Sequence, residues 1–511
     1  MREMKRTRIG IISAITVVIE ALVLGALTML RTRYILLQHG TNINGVIQLA
    51  SQLTAYMLLF ESGMTAAYQF NLYKPLLSED NVKVSSLYKG MVKDFRIIAA
   101  KMVLTALSVA FVYSFVLRNR GVTYFEAVSL LSIMGIRLVA PYVFTVPLRT
   151  LIIVKERKYI TDIVETTKNT IALILEVLLI KFTSVPLPLV LSIHVLLCFL
   201  SRFVYIKLVS KYFKDSIKTD VHADRTPSKM TSDIIVHRVS GLINSNTDSV
   251  LLSLFKELGL NSVTIYTSFA TIINYPVTLV TRIIDSIRAT LALKIQSNDD
   301  EAYDYFREIM SFSKLCVLVV IPVYISQVND FVTLWLGQEY TVNMINTVLF
   351  GLTAIHQMMM PTIYATRDAY GLYKESKHYS LGQAIGNLII SLALVKPLGI
   401  LGVLLGTVLS DWLIIEPLNI RLIFRRIFKR KFDLTFDYAL LMIMLIVSSS
   451  ICVFINRSLS LSNGWGGFIV KSTVVTIVAS VISIVLLFIL DYGFRKLVKR
   501  FLPSKISKFL R

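Results

Sequence analysis

The sequence predicts an all-α integral membrane protein with about fourteen transmembrane helices. Hydrophobic residues make up 55% of its 511 residues, and they fall into stretches long enough to cross a bilayer, which takes about 20 apolar residues. Lysine and arginine are concentrated in every second gap between those stretches. Because a backbone in lipid must satisfy its own hydrogen bonds, apolar stretches of this length are expected to be helices.

The apolar stretches follow one another with short gaps along the whole chain. In order they are roughly 9–30, 45–70, 97–117, 124–153, 160–180, 186–209, 234–255, 263–293, 310–336, 344–364, 379–395, 398–420, 438–455 and 468–490.

The distribution of basic residues predicts the topology. Segments on the same side as the N-terminus hold 42 of the 54 lysines and arginines, and the opposite loops hold 9. The basic side of a membrane protein is normally cytoplasmic, so both termini are predicted to be cytoplasmic. This bias and attraction to anionic membrane lipids account for the net charge of +22 without a nucleic-acid partner.

Cysteine usage excludes a disulfide framework and a cysteine metal site. The three cysteines, Cys198, Cys316 and Cys452, all lie inside apolar stretches and have no metal-binding spacing. No cofactor is predicted.

The chain is predicted to form two six-helix lobes with an appendix. Residues 1–209 would be the N-lobe, 210–233 a polar cytoplasmic linker, 234–430 the C-lobe, and 431–511 two further spans with a basic cytoplasmic tail. A faint repeat at an offset of 219 to 220 residues, which pairs the loop after span 4 with the loop after span 10, supports a six-helix unit repeated in parallel.

Ionisable residues inside spans are costly and often face a cavity or a partner helix. In span 7 the polar run from Asn244 to Asp248 interrupts an apolar helix, and its two ends share one face. This run either locks the helix to its neighbours or forms a cavity wall or cation site. Glu61, beside a glycine in span 2, is either a structural partner or a proton-linked group.

Arginines within or beside spans are candidates for binding phosphate, because guanidinium forks match phosphate oxygens. Arg282 and Arg288 step along span 8 with an aspartate between them, and they either form a neutralised ridge near the surface or receive phosphate. Arg31 and Arg33 end span 1, where they either mark the end of the helix or project into a central cavity. Arg137 lies inside span 4.

Two passages resemble a known family. The first comprises 31–45, with an Arg-Thr element and a turn, then a Glu-x-Gly element at 61–63 and a Leu-Tyr-Lys-Pro-Leu exit at 72–76. The second has an Asn-x-x-x-Asp element at 244–248 followed by a Val-x-x-Tyr element at 263–266. Together they resemble the bacterial polysaccharide and O-antigen flippases (Wzx-like proteins) of the multidrug, oligosaccharidyl-lipid and polysaccharide exporter superfamily. The turn at 38–45 departs from the family pattern, which more often has Leu-Gly there.

The resemblance implies two lobes arranged in a V and transport by alternating access. It implies a bacterial inner-membrane exporter of a polyprenyl-diphosphate-linked oligosaccharide, which is an O-antigen, capsule or exopolysaccharide repeat unit. Arg31, Arg33, Arg137, Arg282 and Arg288 would contact the diphosphate. Protons or Na⁺ would couple at the acids of spans 2 and 7, and polysaccharide polymerase or assembly proteins would be partners.

Other functional classes fit the sequence less well. A membrane glycosyltransferase, polymerase or ligase would need a large outer loop or a catalytic acid cluster, and an ATP-driven exporter would need a phosphate-binding loop. The sequence contains neither, so the protein is predicted not to be an enzyme. A cation-coupled multidrug antiporter of the same superfamily is the alternative, although such proteins typically have twelve spans.

Overall fold

The computed structural model describes residues 2–61, 63–118, 120–213, 221–229, 235–255, 257–297, 299–430, 434–460 and 464–501, with the side chains of most of them from residue 22 onward. Nearly all of these residues are helical, and no strand occurs among them, which confirms the predicted all-α class. The α-helices are α1 Arg2–Ala55, α2 Met64–Leu77, α3 Asn81–Leu117, α4 Tyr124–Phe144, α5 Val146–Val154, α6 Lys158–Phe182, α7 Leu187–Phe213, α8 Ile235–Leu254, α9 Gly259–Ser297, α10 Asp299–Trp335, α11 Met344–Ala369, α12 Tyr373–Leu398, α13 Ile400–Ser410, α14 Glu416–Ile423, α15 Leu434–Ser458, α16 Trp465–Leu490 and α17 Tyr492–Phe501.

Ten helical segments of the described chain are long and apolar enough to cross a membrane. Spans 5, 7 and 10 of the sequence prediction are also helices, α6, α8 and α11, although they lie outside that set. Spans 1 and 2 occur as one segment because α1 continues through the predicted turn. The protein is therefore a multi-pass membrane protein.

The turn predicted between spans 1 and 2 is reduced to one residue. Helix α1 runs on past residue 30, and only Gly40, at φ 79° and ψ 173°, leaves the helical conformation. The positive φ favours glycine, since other residues are strained there. The second real break in this region is Gly63, at φ 86°, which precedes α2.

The described chain divides into two compact units, Met1–Thr264 and Ile265–Arg511. The first contains α1 to α8 and the first residues of α9; the second contains the rest. Each has its own apolar core, built around residues such as Phe95 and Met102 in the first and Phe306 and Met358 in the second. The predicted lobe, linker and appendix boundaries stay predictions.

Part of the predicted linker is bound to the first unit. Segment 221–229 lies along α3, where Lys83 forms an ion pair with Asp224 at 2.7 Å. Arg225 pairs with the buried carboxylate of Asp94, which also accepts a hydrogen bond from the Tyr68 hydroxyl at 2.6 Å. These contacts hold this stretch of the linker against the α3 helix.

Ion pairs connect the last helices of the second unit to α10. Arg307 of α10 pairs with Asp437 of α15. Lys314 of α10 pairs with Asp491, the residue between α16 and α17. Burial acts to raise the pKa of Asp491, but the Lys314 ammonium and hydrogen bonds outweigh it, and the pKa is lowered below its ordinary value.

Candidate functional site

Two arginines from different helices converge on one buried glutamate in the first unit. Arg31 of α1 donates from Nη1 to Oε2 of Glu176 on α6, at 3.0 Å. Arg137 of α4 donates from Nη1 to Oε1 of the same carboxylate, also at 3.0 Å. Glu176 is fully buried and Arg31 is 8% exposed. Two of the predicted phosphate-binding residues therefore meet on a shared counter-ion.

A histidine completes this group, which we call the Glu176 cluster: Arg31, Arg137, Glu176 and His194. His194 of α7 has Nδ1 at 3.6 Å from Oε1 of Glu176. Its Nε2 lies 3.2 Å from Oδ1 of Asn169 on α6. Four helices, α1, α4, α6 and α7, thus contribute to one buried polar centre.

A second group that also pairs one glutamate with two basic side chains lies nearer the start of α6. Here Glu165 pairs with Lys168 of the same helix, and Arg149 of α5 lies 3.8 Å from its Oε1. The Tyr205 hydroxyl of α7 donates to Glu165 at 2.9 Å. We call Arg149, Glu165, Lys168 and Tyr205 the Glu165 cluster.

The sequence of α6 explains why both clusters face inward. Buried positions recur at helical spacing, as expected for one face of a helix. Three of these positions carry the polar side chains of Thr161, Lys168 and Glu176. The other buried positions are apolar, and they are Ala172, Leu173 and Ile180.

Each cluster holds two cationic side chains against one carboxylate, so positive charge is in excess at both. Burying charge in a membrane protein is expensive unless it is paired. The pairing with glutamate reduces this cost, and the unpaired remainder makes each cluster attractive to an anion. In the Glu176 cluster both cations are guanidinium groups, whose forked geometry suits an anion with several oxygens.

A polar cavity of about 480 Å³ lies at the far end of α6. It is lined by Gln38, His39, Lys181 and residues 182–186. Gln38 donates to the carbonyl oxygen of Lys181 at 3.3 Å, so α1 and α6 are joined there. Lys181 thus adds a basic side chain on α6 beyond the Glu165 and Glu176 clusters.

The remaining predicted arginines are placed differently. Arg33 is half-buried on α1, two residues beyond the buried Arg31. Arg282 and Arg288 lie in the second unit on α9, where Arg282 is exposed. Arg288 pairs with Asp368 at 3.3 Å and approaches Asp285 at 3.8 Å. Arg288 thus contacts acids of its own helix and of α11, and phosphate binding at Arg282 and Arg288 stays a prediction.

The Glu61 side chain contacts backbone N–H groups at the start of α2. Its carboxylate accepts a hydrogen bond from the backbone N–H of Thr65 at 2.9 Å and faces the N–H of Gly63 at 3.4 Å. It therefore caps the start of α2 after the break at Gly63, as a carboxylate at a helix N-terminus does.

The polar run of α8 is partly buried. Asp248 is 3% exposed, and Asn244 is half-buried on the same helix. The neighbouring Thr247 bonds the hydroxyl of Tyr56 at 2.9 Å, which ties α8 to the segment before Glu61. The run thus makes the helix–helix hydrogen bonds that the sequence offered as one interpretation, and cation binding at Asn244 and Asp248 stays a prediction.

Sequence reasoning did not assign roles to Glu176 and His194. Glu176 was visible only as an intramembrane acid, because its pairing with α1 and α4 depends on helix packing. The signal for His194 was a lone histidine in an apolar stretch, which is uninformative without its neighbours. Among the residues whose side chains are described, no three His, Cys, Asp or Glu side chains form a metal site.

The fold is shared with solved lipid-flippase and multidrug-transporter structures. A lipid II flippase MurJ in an inward closed conformation matches with a TM-score of 0.69 and 13% identity, over 94% of this chain and 99% of that chain. The eukaryotic MATE transporter AtDTX14 matches with a TM-score of 0.57 and 12% identity, over 82% and 96%. An inward-facing multidrug resistance MATE family transporter of the MOP superfamily matches with 0.56 and 12%, over 86% and 96%.

Sequence comparisons found no relative. No protein-family profile matches the chain, and no curated protein sequence matches it. At 12% to 13% identity the structural matches define the fold. The chain is thus a multi-pass helical membrane protein with the fold that lipid II flippase MurJ and MATE transporters share.

Proposed function

We propose that this protein is a flippase that moves a polyprenyl-diphosphate-linked oligosaccharide from the cytoplasmic to the outer leaflet of a bacterial inner membrane by alternating access. The oligosaccharide would be an O-antigen, capsule or exopolysaccharide repeat unit. The observation that carries the proposal is the Glu176 cluster, in which the buried guanidinium of Arg31 and the partly buried one of Arg137 share one carboxylate. Its setting, a fold in common with a lipid II flippase, supports a lipid-linked cargo.

The diphosphate is the part of the cargo that needs the protein most. Its charge cannot enter hydrocarbon unaided, because desolvation is very costly. Arg31 and Arg137 would hold the diphosphate oxygens in place of Glu176, and Arg149 and Lys168 offer a second station along α6. An inside-negative potential favours outward movement of negative charge by about 2.3 kcal/mol per charge per 100 mV.

The second unit has an apolar cavity of its own. Helices α10, α11 and α15 line it, and its volume is about 330 Å³. Nearly all of its lining is aliphatic or methionine, and the polar exceptions are Ser449 and Ser450. Such a surface suits a hydrocarbon chain and offers little to a sugar.

A transport assay tests the role of Arg31 and Arg137. Arg31→Ala and Arg137→Ala in purified protein, reconstituted into vesicles with a fluorescent polyprenyl-diphosphate oligosaccharide, should each lower flipping at least tenfold, about 1.4 kcal/mol. Arg→Lys should restore part of it, because an ammonium lacks the bidentate fork. Arg118→Ala is the matched control, since this arginine is exposed at the end of α3.

The amount and the folding of each variant protein are measured in parallel with flipping. Wild-type flipping by a folded Arg31→Ala, Arg137→Ala double variant would contradict the role of the pair. Loss of flipping in proportion to loss of folded protein would assign both arginines to packing.

A cation-coupled multidrug antiporter is the second candidate, because the MATE transporters share the fold. It predicts uptake of a cationic dye against a proton or Na⁺ gradient in the same vesicles. The excess of positive charge in the Glu176 cluster favours an anionic cargo over a cationic one. Dye transport without movement of the lipid-linked oligosaccharide would reverse that preference.

A further inference from the structure

The last described helix, α17, follows a membrane-crossing segment after a single residue. Helix α16, Trp465–Leu490, is one of the segments long and apolar enough to cross a membrane. Asp491 then leaves the helical conformation, at φ −114° and ψ 114°, and α17 begins at Tyr492. Because one residue spans at most about 3.6 Å, the start of α17 lies at the level where α16 leaves the bilayer.

Polar contacts hold α17 across α10. Polar pairs join α17 and the residue before it to α10, and they include Asp491–Ser311, Lys496–Asp304 and Arg500–Glu308. Along α17 the contacted position on α10 thus moves from 311 to 304 and then returns to 308, so α17 crosses α10 instead of running beside it. Gly493 allows this close crossing, since a Cβ there would lie 2.6 Å from the carbonyl oxygen of Arg307.

The crossing places α17 at the level of the lipid headgroups. The contacted positions 304 and 308 of α10 come shortly before the predicted membrane span at 310–336, about 3–9 Å along a helix axis. The headgroup layer on each side of a bilayer is about 5–8 Å thick. Side chains on the free face of α17 are therefore within reach of phospholipid headgroups.

Helix α17 has one apolar face and one basic face. The apolar face packs on the core of the second unit, and it consists of Phe494, Leu497 and Val498. The other face is exposed, and it consists of Tyr492, Arg495 and Lys499. Residues spaced three and four apart share one side of a helix, so the two bases project together. Among the described side chains neither base forms an ion pair, and the two α10 acids at this level pair with other bases of α17.

A second set of exposed bases lies at the same level on another flank of α10. Helix α14 lies between two π-helical turns, Asp411–Ile415 and Phe424–Phe428. The rings of Phe424 and Phe428 pack on Phe306 of α10, with ring centroids 6.2 and 5.0 Å apart, and position 306 lies between the two positions that α17 contacts. We call five exposed bases of the two flanks the basic rim, and they are Arg425, Arg426, Lys429, Arg495 and Lys499.

We propose that the basic rim is a docking surface for the anionic headgroups of phospholipids in the cytoplasmic leaflet. Its residues belong to two segments that the charge distribution predicts to be cytoplasmic, 421–431 and 495–511. Anionic headgroups attract lysine and arginine held at a membrane surface, and the tyrosine ring on the same face of α17 suits this layer. The apolar face of α17 is already packed on protein, so the attraction is one of charges and not of inserted side chains. The surface does not depend on the cargo or on the proposed function.

Photochemical cross-linking from lipid tests the rim directly. The full-length protein is reconstituted in phosphatidylcholine vesicles that contain, in parallel samples, photoreactive phosphatidylglycerol or photoreactive phosphatidylcholine at the same mole fraction. Mass spectrometry measures the cross-linked peptides from α17 and from 424–430. We expect the anionic lipid to label them at least about fivefold more, which corresponds to about 1 kcal/mol. Added salt should reduce this ratio, since ions screen exposed charges.

Substitutions of the two α17 bases show whether their charge is the cause. Arg495→Glu, Lys499→Glu should bring the ratio at α17 close to one, and Arg495→Gln, Lys499→Gln should give an intermediate value. Both side chains are exposed, so neither change removes a core contact. Lys374→Glu, Lys377→Glu is the matched control, because it changes the charge by the same amount at exposed lysines of α12. It should keep the wild-type ratio at α17.

The outcomes separate the lipid surface from the transport function. Equal labelling of wild-type α17 by the two lipids would overturn the proposal and leave the rim accessible to an acidic protein instead. A ratio that the double Glu variant leaves at the wild-type value would overturn it as well. Preferential labelling in a protein that moves no lipid-linked oligosaccharide would support the lipid surface and remove only the proposed function.

Discussion

At the scale of single residues, the buried carboxylate of Glu176 holds the first unit together at a place where the chain has excess positive charge. Arg31 and Arg137 approach it from two helices. Removing one partner of a buried ion group is costly, because the other charges stay buried without compensation. The same property makes the group responsive to an added anion.

Glu176→Gln should therefore destabilise the folded protein by about 3–5 kcal/mol. Thermal unfolding of the purified protein measures this, with Glu375→Gln as the control at an exposed glutamate of α12. Inorganic diphosphate should raise the unfolding temperature of Glu176→Gln more than that of the wild type, since it replaces the lost counter-ion. Equal stability of the variant and wild type would contradict the assignment of Glu176 as counter-ion.

A pair of substitutions decides whether Glu61 acts as a helix cap or as a coupling group. Gln at this position keeps an oxygen for the N–H of Thr65, whereas Ala removes it. Loss of a helix cap costs about 1 kcal/mol. We expect Glu61→Ala to lower stability by about that amount and Glu61→Gln to preserve most of it. A pH dependence of transport that changes in a fully stable Glu61→Gln protein would instead identify the acid as a coupling group.

At the scale of elements, the position of segment 221–229 depends on a close approach between its backbone and the backbone of α3. Gly90 of α3 has no side chain, and a Cβ there would lie 1.9 Å from the carbonyl oxygen of Asp224. Gly90→Ala should displace the segment and speed tryptic cleavage after Arg225. Gly241→Ala is the control, because a Cβ at that glycine meets nothing within 4 Å. Unchanged cleavage in Gly90→Ala would show that the segment is not held there.

The same segment should resist mild acid. The hydrogen bond and ion pair with Lys83, together with hydrogen bonds from Thr226, lower the pKa of Asp224 to about 2. A lowered pKa means that the carboxylate stabilises the folded form fully above its ordinary value of 3.8 and less as pH falls toward 2. A fluorophore attached at a His222→Cys variant should report bound linker down to about pH 4, and release at neutral pH when Asp224→Asn is added. Release of the wild-type segment above pH 5 would contradict this.

Across the whole molecule, hydropathy predicted the helices well because apolar length alone decides whether a segment can cross lipid. It made the break in α1 too long, since one glycine, Gly40, suffices there and the polar residues on either side remain helical. It also gave no sign of the π-turn at Asp411–Ile415, which depends on tertiary packing rather than on composition. Arg31 and Arg137 were recognised as costly charges, but their meeting on Glu176 required the fold.

The predicted topology remains to be measured. The excess of basic residues in alternate loops predicts that a reporter fused at residue 220 is cytoplasmic and one fused at residue 462 is outside. Protease protection or a compartment-specific enzyme reporter in cells would decide this. Both reporters on one side would overturn the assignment of the spans between them. The reverse placement would overturn the orientation and with it the outward direction of transport.

The central claim is tested most directly by following one labelled lipid across a membrane. Vesicles that contain the wild-type protein are loaded with a fluorescent polyprenyl-diphosphate oligosaccharide, and a membrane-impermeant quencher reports its leaflet under an imposed potential. The account predicts rapid loss of the protected fraction, faster when the receiving side is positive, and slow loss in protein-free vesicles and in the Arg31→Ala, Arg137→Ala variant. An unchanged protected fraction with the folded wild-type protein would contradict the account.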